Sequence, residues 1–181
     1  MKNRFPHILS SVLILLAACS RTEQAPQVIS VIPQPSFCQL EEGSCGIEGN
    51  TPVYVDFTDP ALMRTIGFLN ERLQKAAGFS LQIIQDDPLR HGQEKGVFVL
   101  DAGLKKEAYN LNVTPGRLLI EYGDGAGLFY AIQTVFQLLP DAIFAETRQK
   151  GVKWEVPCCY IEDAPAFPYR GMHLDCCLHF Y

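Results

Sequence analysis

The succession of strand-like and helix-like segments constrains the fold of this chain most. Short runs rich in β-branched and aromatic residues, bounded by Pro, Gly and Asn, predict strands. We expect these strands at residues 28–35, 52–57, 79–84, 96–100, 108–113 and 117–122. A Thr-Pro-Gly turn at residues 114–116 predicts a hairpin between the last two. With two helical patterns interposed, this order predicts an α+β fold, in which a mostly antiparallel sheet carries two helices on one face.

The first helical pattern has clear boundaries. Asp59 is suited to the N-cap, Pro60 to the first turn, and Gly78 to the end of the helix. Between them, apolar residues recur at steps of three and four. These residues are Leu62, Ile66, Leu69, Leu73 and Ala76. The pattern predicts an amphipathic helix with one face in the core.

A glycine-rich segment, GDGAG at residues 123–127, precedes the second helix, which we expect at residues 126–139. Glycines between a strand and a helix can bring the backbone up to a pyrophosphate. The dinucleotide-binding spacing would require glycine where Leu128 stands, and Asp124 would place a carboxylate beside the phosphates. We therefore interpret the glycines as a tight turn capped by Asp124.

The N-terminal residues resemble a bacterial lipoprotein signal. Lys2 and Arg4 precede an apolar stretch at residues 8–16 that is too short to span a bilayer, and LAAC follows at residues 16–19. The resemblance implies cleavage before Cys19, lipidation of Cys19 and anchoring in the bacterial cell envelope, at the outer membrane or in the periplasm. The alternative is a plain secretory signal cleaved after Ala18. Residues 20–27 lack apolar periodicity and are interpreted as a tether.

The chain contains seven cysteines, and the envelope is an oxidising compartment. Cys38 and Cys45 flank a turn-like segment and could form a disulfide if their Cα atoms lie within about 7 Å; free thiols are the alternative. The adjacent pairs at residues 158–159 and 176–177 lie in apolar runs. Neighbouring residues on a strand point to opposite faces and cannot easily form a disulfide with each other. We therefore interpret these four cysteines as small buried hydrophobic residues.

Charge and ionisable residues exclude several functions. The net charge of −5 and the absence of a basic cluster argue against nucleic-acid binding. His173, Asp175, Cys177 and His179 alternate and would share one strand face, but four such positions span roughly 20 Å, too far for one metal ion. We therefore predict a mixed polar face that lines a cavity, and no metal site. The adjacent acids at residues 162–163 would point apart on a strand and are expected to have a solvated or structural role and not to act as a catalytic pair.

Several segments, in this order and spacing, are similar to glycoside hydrolase family 20, the β-N-acetylhexosaminidases. They are SVIPQP near the start, EAYNLNV from residue 107, DGAGLFYAIQTVFQLLP from residue 124, WEVPCCYIEDAPAFPYRGMHLD from residue 154 and the closing HF. The resemblance implies an N-terminal α+β domain at residues 28–165. It further implies that residues 166–181 are the first strand of a (β/α)8 barrel, so that the chain ends within a strand of an incomplete barrel.

The family pattern RGxxLDxxRHF matches Arg170, Gly171, Leu174, Asp175, His179 and Phe180, whereas Leu178 stands where a second arginine is usual. The resemblance implies that Arg170 holds hydroxyls of a terminal N-acetylhexosamine. Pairing of Arg170 with a nearby carboxylate is the structural alternative. In the family the sugar's own acetamido oxygen attacks the anomeric carbon, assisted by an Asp-Glu pair from later in the barrel. That pair has no counterpart here, so we expect no catalytic residue and no cofactor in this chain.

Two function classes remain. The first is the N-terminal, inactive part of a lipid-anchored β-N-acetylhexosaminidase that acts on glycans. The second is a non-catalytic envelope module that binds glycan or protein. An exposed row of aromatic residues would favour the second, but Tyr54, Phe57 and Tyr122 lie in core-like patterns. A truncated chain without function is the remaining alternative, because its apolar last strand would lack neighbours.

Overall fold

The computed structural model describes residues 29–173, which form seven β-strands, two α-helices and two short 3₁₀ helices. The strands are β1 (Phe37–Gly46), β2 (Pro52–Val55), β3 (Gln82–Gln85), β4 (Gly96–Asp101), β5 (Tyr109–Thr114), β6 (Arg117–Tyr122) and β7 (Glu155–Asp163). The helices are α1 (Pro60–Ala76) and α2 (Gly125–Leu138), with 3₁₀ helices at Pro88–His91 and Asp141–Phe144.

The strands form one mixed sheet in the order β1-β7-β5-β6-β4-β2-β3. The α+β class is confirmed, and so is the antiparallel β5–β6 hairpin. The expectation of a mostly antiparallel sheet is wrong, because β2 pairs in parallel with both β3 and β4, and β4 pairs in parallel with β6. Helix α1 carries the chain back between β2 and β3, and such a crossover lets the second strand run in the same direction as the first.

Both helices pack on one face of the sheet, as predicted, and the core lies between them and the strands. Val53, Leu111 and Ile120 point from the sheet into this core and are fully buried. On the helix side the core takes in Leu73 from α1 and Ile132 from α2. Burial of apolar surface of this extent supplies the main stabilisation of the domain.

The ends of both helices follow from their capping residues. The side chain of Asp59 accepts a hydrogen bond from the N–H of Ala61 at 2.7 Å, and Pro60 opens α1. Gly78, with φ +81°, follows the end of α1 in the left-handed conformation that favours glycine. Asp124 caps α2 in the same way as Asp59 caps α1.

The first expected strand is wrong, because residues 29–35 contain no strand. Pro33 and Pro35 lack an N–H for a ladder, and the backbone of Ile32 is bonded instead to the side chain of Gln137. The strand at this edge of the sheet is β1, which is exposed. It includes the segment between Cys38 and Cys45 that we expected to be turn-like. Its register against β7 shifts between Leu40 and Ser44. This bulge interrupts the alternation of inward and outward residues by which a strand is predicted from sequence.

The four described cysteines are free thiols. Cys38 pairs with Ile161 and Cys45 with Val156 along β7, which separates the two cysteines by roughly 16 Å, too far for a disulfide. Cys158 and Cys159 are fully buried, as predicted for small hydrophobic residues. Cys19 and the pair at residues 176–177 lie outside the described residues.

Candidate functional site

A cavity lies beside α2, where the chain leaves β7. We call residues 164–173, which follow β7, the connecting segment. The cavity has a volume of about 630 Å³, opens to solvent and is lined by residues of this segment, of α2 and of the irregular residues 31–36. Its lining includes Val31, Tyr109, Tyr130, Gln133, Phe167 and Arg170. Arg170, for which the family resemblance implies contact with a sugar, therefore lies at the rim of the cavity.

Arg170 is held by three partners. Its Nη1 donates to the carbonyl oxygen of Phe167 at 2.6 Å, and its Nη2 donates to the hydroxyl of Tyr130 at 3.1 Å and to the carboxylate of Glu107. The hydrogen bond to Glu107 is the main cause that raises the pKa of Arg170. In the described part of the chain Arg170 therefore has the carboxylate pairing that was the structural alternative to sugar contact.

The loop that presents Glu107 depends on Asp124. Glu107 has φ +65°, a conformation that side chains rarely adopt, and its N–H donates to Oδ1 of Asp124 at 3.0 Å. The same oxygen accepts the N–H of Gly127 at 2.9 Å and so caps α2. The interpretation of the GDGAG segment as a capped turn is confirmed, because the carboxylate occupies the N–H group that a phosphate would need.

Gly127 permits a close approach between this turn and β5. A Cβ atom at residue 127 would lie 2.3 Å from the carbonyl oxygen of Ala108, well inside any real contact distance. The backbone of α2 therefore rests directly on the loop before β5. This glycine has a packing role and not a ligand-binding role.

Polar groups inside the cavity are partly paired. The hydroxyl of Tyr109 lies 2.6 Å from Oγ1 of Thr134, and burial raises the pKa of Tyr109 to about 12. The side-chain Nε2 of Gln133 is enclosed, yet it has no hydrogen-bond partner among residues 29–173. An enclosed amide donor without an acceptor is unfavourable. A hydrogen-bond acceptor placed beside Gln133 would therefore be stabilising.

The adjacent acids Glu162 and Asp163 have separate structural partners. The hydroxyl of Tyr160 donates to Glu162 at 2.5 Å, whereas Asp163 accepts the N–H and the hydroxyl of Ser36, both at 3.1 Å. The expected solvated or structural role is confirmed, because Glu162 is exposed and Asp163 is hydrogen-bonded to Ser36. The two carboxylates do not converge on one reacting atom, as paired acid–base chemistry would require.

The mixed polar face that we predict at residues 173–179 falls mostly outside the described residues. His173 is exposed in the connecting segment, while Asp175, Cys177 and His179 lie beyond it. Within residues 29–173 there is no group of three or more His, Cys, Asp or Glu side chains placed to hold a metal ion. Over the same range no helix has the length and apolar character needed to cross a membrane.

A second polar cluster, on the sheet face away from the helices, was missed by the sequence reading. His91 lies 2.9 Å from Glu94 and 3.1 Å from Asp86, and its ring stacks on Tyr54 with centroids 4.0 Å apart. Hydrogen bonds to Glu94 and then to Asp86 raise the pKa of His91. The cluster fastens the 3₁₀ helix Pro88–His91 to the sheet. The D-x4-H-x2-E spacing was the available signal, but it does not identify Tyr54.

The fold and site together define an α+β domain in which the cavity arginine is paired with a carboxylate. The model of glycosyl hydrolase family 20, domain 2, matches residues 28–164. The chain therefore belongs to glycosyl hydrolase family 20 and carries the N-terminal domain of that family.

Relatives and solved structures agree with this assignment. A β-hexosaminidase of Porphyromonas gingivalis is 31% identical over 93% of this chain, and one of Vibrio furnissii is 26% identical over 84%. Among solved structures, Streptomyces plicatus N-acetyl-β-hexosaminidase superposes with a TM-score of 0.67 and 31% identity over 77% of this chain and 27% of its own. The chain spans only 22% of the length of each of the two curated relatives.

Proposed function

We propose that this chain is the N-terminal, non-catalytic part of a lipid-anchored β-N-acetylhexosaminidase that releases terminal N-acetylhexosamine residues from glycans. One observation carries the proposal: the chain matches a β-hexosaminidase along 93% of its own length but only 22% of that relative's length. The pairing of Arg170 and the separation of Glu162 from Asp163 support an inactive isolated chain.

The proposed division of the chain has four parts. Residues 1–19 are a signal peptide ending at lipidated Cys19, and residues 20–27 are a tether. Residues 28–165 are the supporting domain, and residues 166–181 begin the catalytic barrel. Lipidation would hold the protein at the bacterial envelope, and acyl chains supply roughly 0.8 kcal/mol for each buried methylene group.

Arg170 is proposed to contact the sugar once the barrel is complete. A guanidinium carries five N–H donors in a planar fork, which suits the hydroxyls of a sugar ring. The Arg170 side chain is 44% exposed, so it is accessible to such a partner. Sugar hydroxyls would then replace Glu107 or share the guanidinium with it.

A hybrid enzyme tests the proposal. The region of the Porphyromonas gingivalis relative that aligns with this chain is replaced in register by the corresponding residues of this chain. We expect the hybrid to release the chromophore of an aryl N-acetylglucosaminide. We expect Arg170→Lys in the hybrid to raise KM, because a single ammonium cannot reproduce the donor fork. A folded hybrid without activity would contradict the proposal that this chain is part of a β-N-acetylhexosaminidase. An Arg170→Lys hybrid with unchanged kinetics would contradict the proposed contact between Arg170 and the sugar.

The alternative, a non-catalytic glycan- or protein-binding lipoprotein, has one observation in its favour. Phe37 is 46% exposed on the edge strand and contacts the ring of Tyr160, with centroids 6.1 Å apart. Aromatic side chains of this kind can stack on sugars. Retention of the isolated chain on immobilised glycan, lost in Phe37→Ala, would favour this alternative.

A further inference from the structure

The segment after β3 lies over the face of the sheet that points away from α1 and α2. It comprises residues 86–95, contains the 3₁₀ helix Pro88–His91 and is called the cover below. Beneath it, Tyr54 of β2 stacks on Phe98 of β4, with ring centroids 5.2 Å apart. Tyr54 is 5% exposed and Phe98 is fully buried. The cover therefore shields an aromatic pair on this face of the sheet.

Contacts with two strands hold the cover in place. The imidazole of His91 stacks on Tyr54, with ring centroids 4.0 Å apart and ring planes inclined by 15°. The hydroxyl of Tyr54 donates to the carboxylate of Glu94. From β6, Arg117 donates to the carbonyl oxygens of His91 and Gly92 at 3.3 and 2.9 Å. His91 is thus fixed to the sheet through both its ring and its backbone.

The hydrogen bonds of the His91 ring require it to be protonated. Nδ1 lies 2.9 Å from Oε1 of Glu94, and Nε2 lies 3.1 Å from Oδ2 of Asp86. Ionised carboxylates only accept hydrogen bonds, and histidine donates from both ring nitrogens only as the imidazolium cation. A neutral ring satisfies one carboxylate and turns a lone pair towards the other. The same two bonds, that to Glu94 first, raise the pKa of His91.

The other charged groups around His91 leave it as the group that changes charge near neutral pH. Charged side chains on the cover, or in contact with it from the sheet, are Asp86, Asp87, Arg90, Glu94, Lys95 and Arg117. Hydrogen bonds from His91 lower the pKa of both Asp86 and Glu94, so both stay ionised well below neutrality. The pKa of Tyr54 is raised, chiefly by its hydrogen bond to Glu94, so its hydroxyl keeps its proton. The ordinary pKa of histidine is about 6.5.

We propose that the cover is proton-dependent: it stays closed over the aromatic pair while His91 bridges Asp86 and Glu94, and it loosens when the ring releases its proton to water. Closure is complete below about pH 6.5, where even an unfolded histidine is protonated. Closure is lost as the pH rises through the higher pKa of His91 in the folded chain. The sheet face then exposes an aromatic surface that it hides at acidic pH.

Hydrogen exchange measured by mass spectrometry tests the cover in the purified chain. The N–H groups of Arg90 and Glu94 donate to carbonyl oxygens within the cover at 3.1 and 3.0 Å, so their protection reports its closure. After correction for the intrinsic pH dependence of exchange, we expect this protection to fall severalfold from about pH 5.5 to about pH 8.5. Protection of the β5–β6 hairpin should stay constant. Constant protection in the cover, or an equal fall in the hairpin, would overturn the inference.

Asp86→Asn distinguishes a proton-dependent bridge from an ordinary structural contact. The amide keeps an oxygen for the N–H of Asp87, which lies 2.8 Å from the carboxylate, and offers an N–H to the unprotonated Nε2 of His91. We expect this variant to keep its protection at about pH 8.5. Asp87→Asn is the matched control, because the Asp87 carboxylate bonds to the N–H of Leu89 instead. It should show the native pH dependence, and the same dependence in Asp86→Asn would overturn the inference.

Oxidation by hydroxyl radicals tests whether the aromatic pair is uncovered. Tyr160 is half-buried in the same row across the sheet as Tyr54, but on β7, and serves as the internal control. We expect the oxidation of Tyr54 relative to Tyr160 to rise severalfold between the same two pH values. A constant ratio would overturn the inference, because the cover would then remain closed over Tyr54.

Discussion

Removal of the Asp124 carboxylate should destabilise the domain more than loss of an ordinary helix cap. One oxygen of Asp124 accepts the N–H of Gly127 at 2.9 Å and the N–H of Glu107 at 3.0 Å. Loss of the cap costs about 1 kcal/mol, and loss of a hydrogen bond to a charged group costs about 1.5–3 kcal/mol before its partial exposure is considered. We therefore expect Asp124→Ala to lower the free energy of unfolding by about 2–3 kcal/mol, or Tm by roughly 5–10 °C.

Asp59→Ala is the matched control, because Asp59 caps α1 through a single exposed hydrogen bond to Ala61. This variant should lose only about 1 kcal/mol. Asp124→Asn should recover most of the loss of Asp124→Ala, since the amide keeps an acceptor oxygen. Urea and thermal unfolding followed by circular dichroism measure all three variants. Equal losses for Asp124→Ala and Asp59→Ala would refute the argument that one carboxylate fixes both the helix and the Glu107 loop.

Two further predictions concern packing and pH. Gly127→Ala should cost about 1–3 kcal/mol in urea unfolding, because the added Cβ would meet the carbonyl oxygen of Ala108, whereas Gly67→Ala, with open space in the middle of α1, should stabilise by about 0.5–1 kcal/mol. A larger loss of stability in Gly67→Ala than in Gly127→Ala would contradict this packing argument. His91→Gln should destabilise most near pH 6. The raised pKa of His91 gives stability that is complete below its unfolded value of about 6.5 and is lost as pH rises through the higher folded value. At lower pH its carboxylate partners, whose pKa values are lowered, protonate and the advantage is lost again. A difference between His91→Gln and the native chain that stays constant from about pH 4 to pH 9 would refute the titration argument.

The sequence predicts those elements whose boundaries are set by local chemistry. Asp59 and Pro60 define the start of α1, and Gly78 follows its end, because capping and left-handed backbone depend on few neighbouring residues. Strand β6, Arg117–Tyr122, is predicted to the residue because Gly116 of the turn precedes it and Gly123 follows it. The expected strand at residues 79–84 is found later, at Gln82–Gln85, a short and partly exposed edge strand.

Features that depend on contacts between distant parts of the chain could not be predicted from the sequence. The edge strand β1 has exposed polar residues and a bulge, so it lacks the alternation that marks a strand. The parallel direction of β4 depends on crossovers and not on the composition of the strand. At the site, Arg170 was identified, but its partners lie 63 and 40 residues away at Glu107 and Tyr130, where no local pattern connects them.

The rate of aryl N-acetylglucosaminide hydrolysis by the purified isolated chain tests the central claim most directly. We predict a rate equal to that of buffer alone, because the described ionisable groups Arg170, Glu162 and Asp163 are paired with structural partners and do not converge on a reacting atom. A rate above buffer that disappears in Arg170→Ala or Glu107→Gln would contradict the account, since it would show that this domain carries catalytic groups of its own.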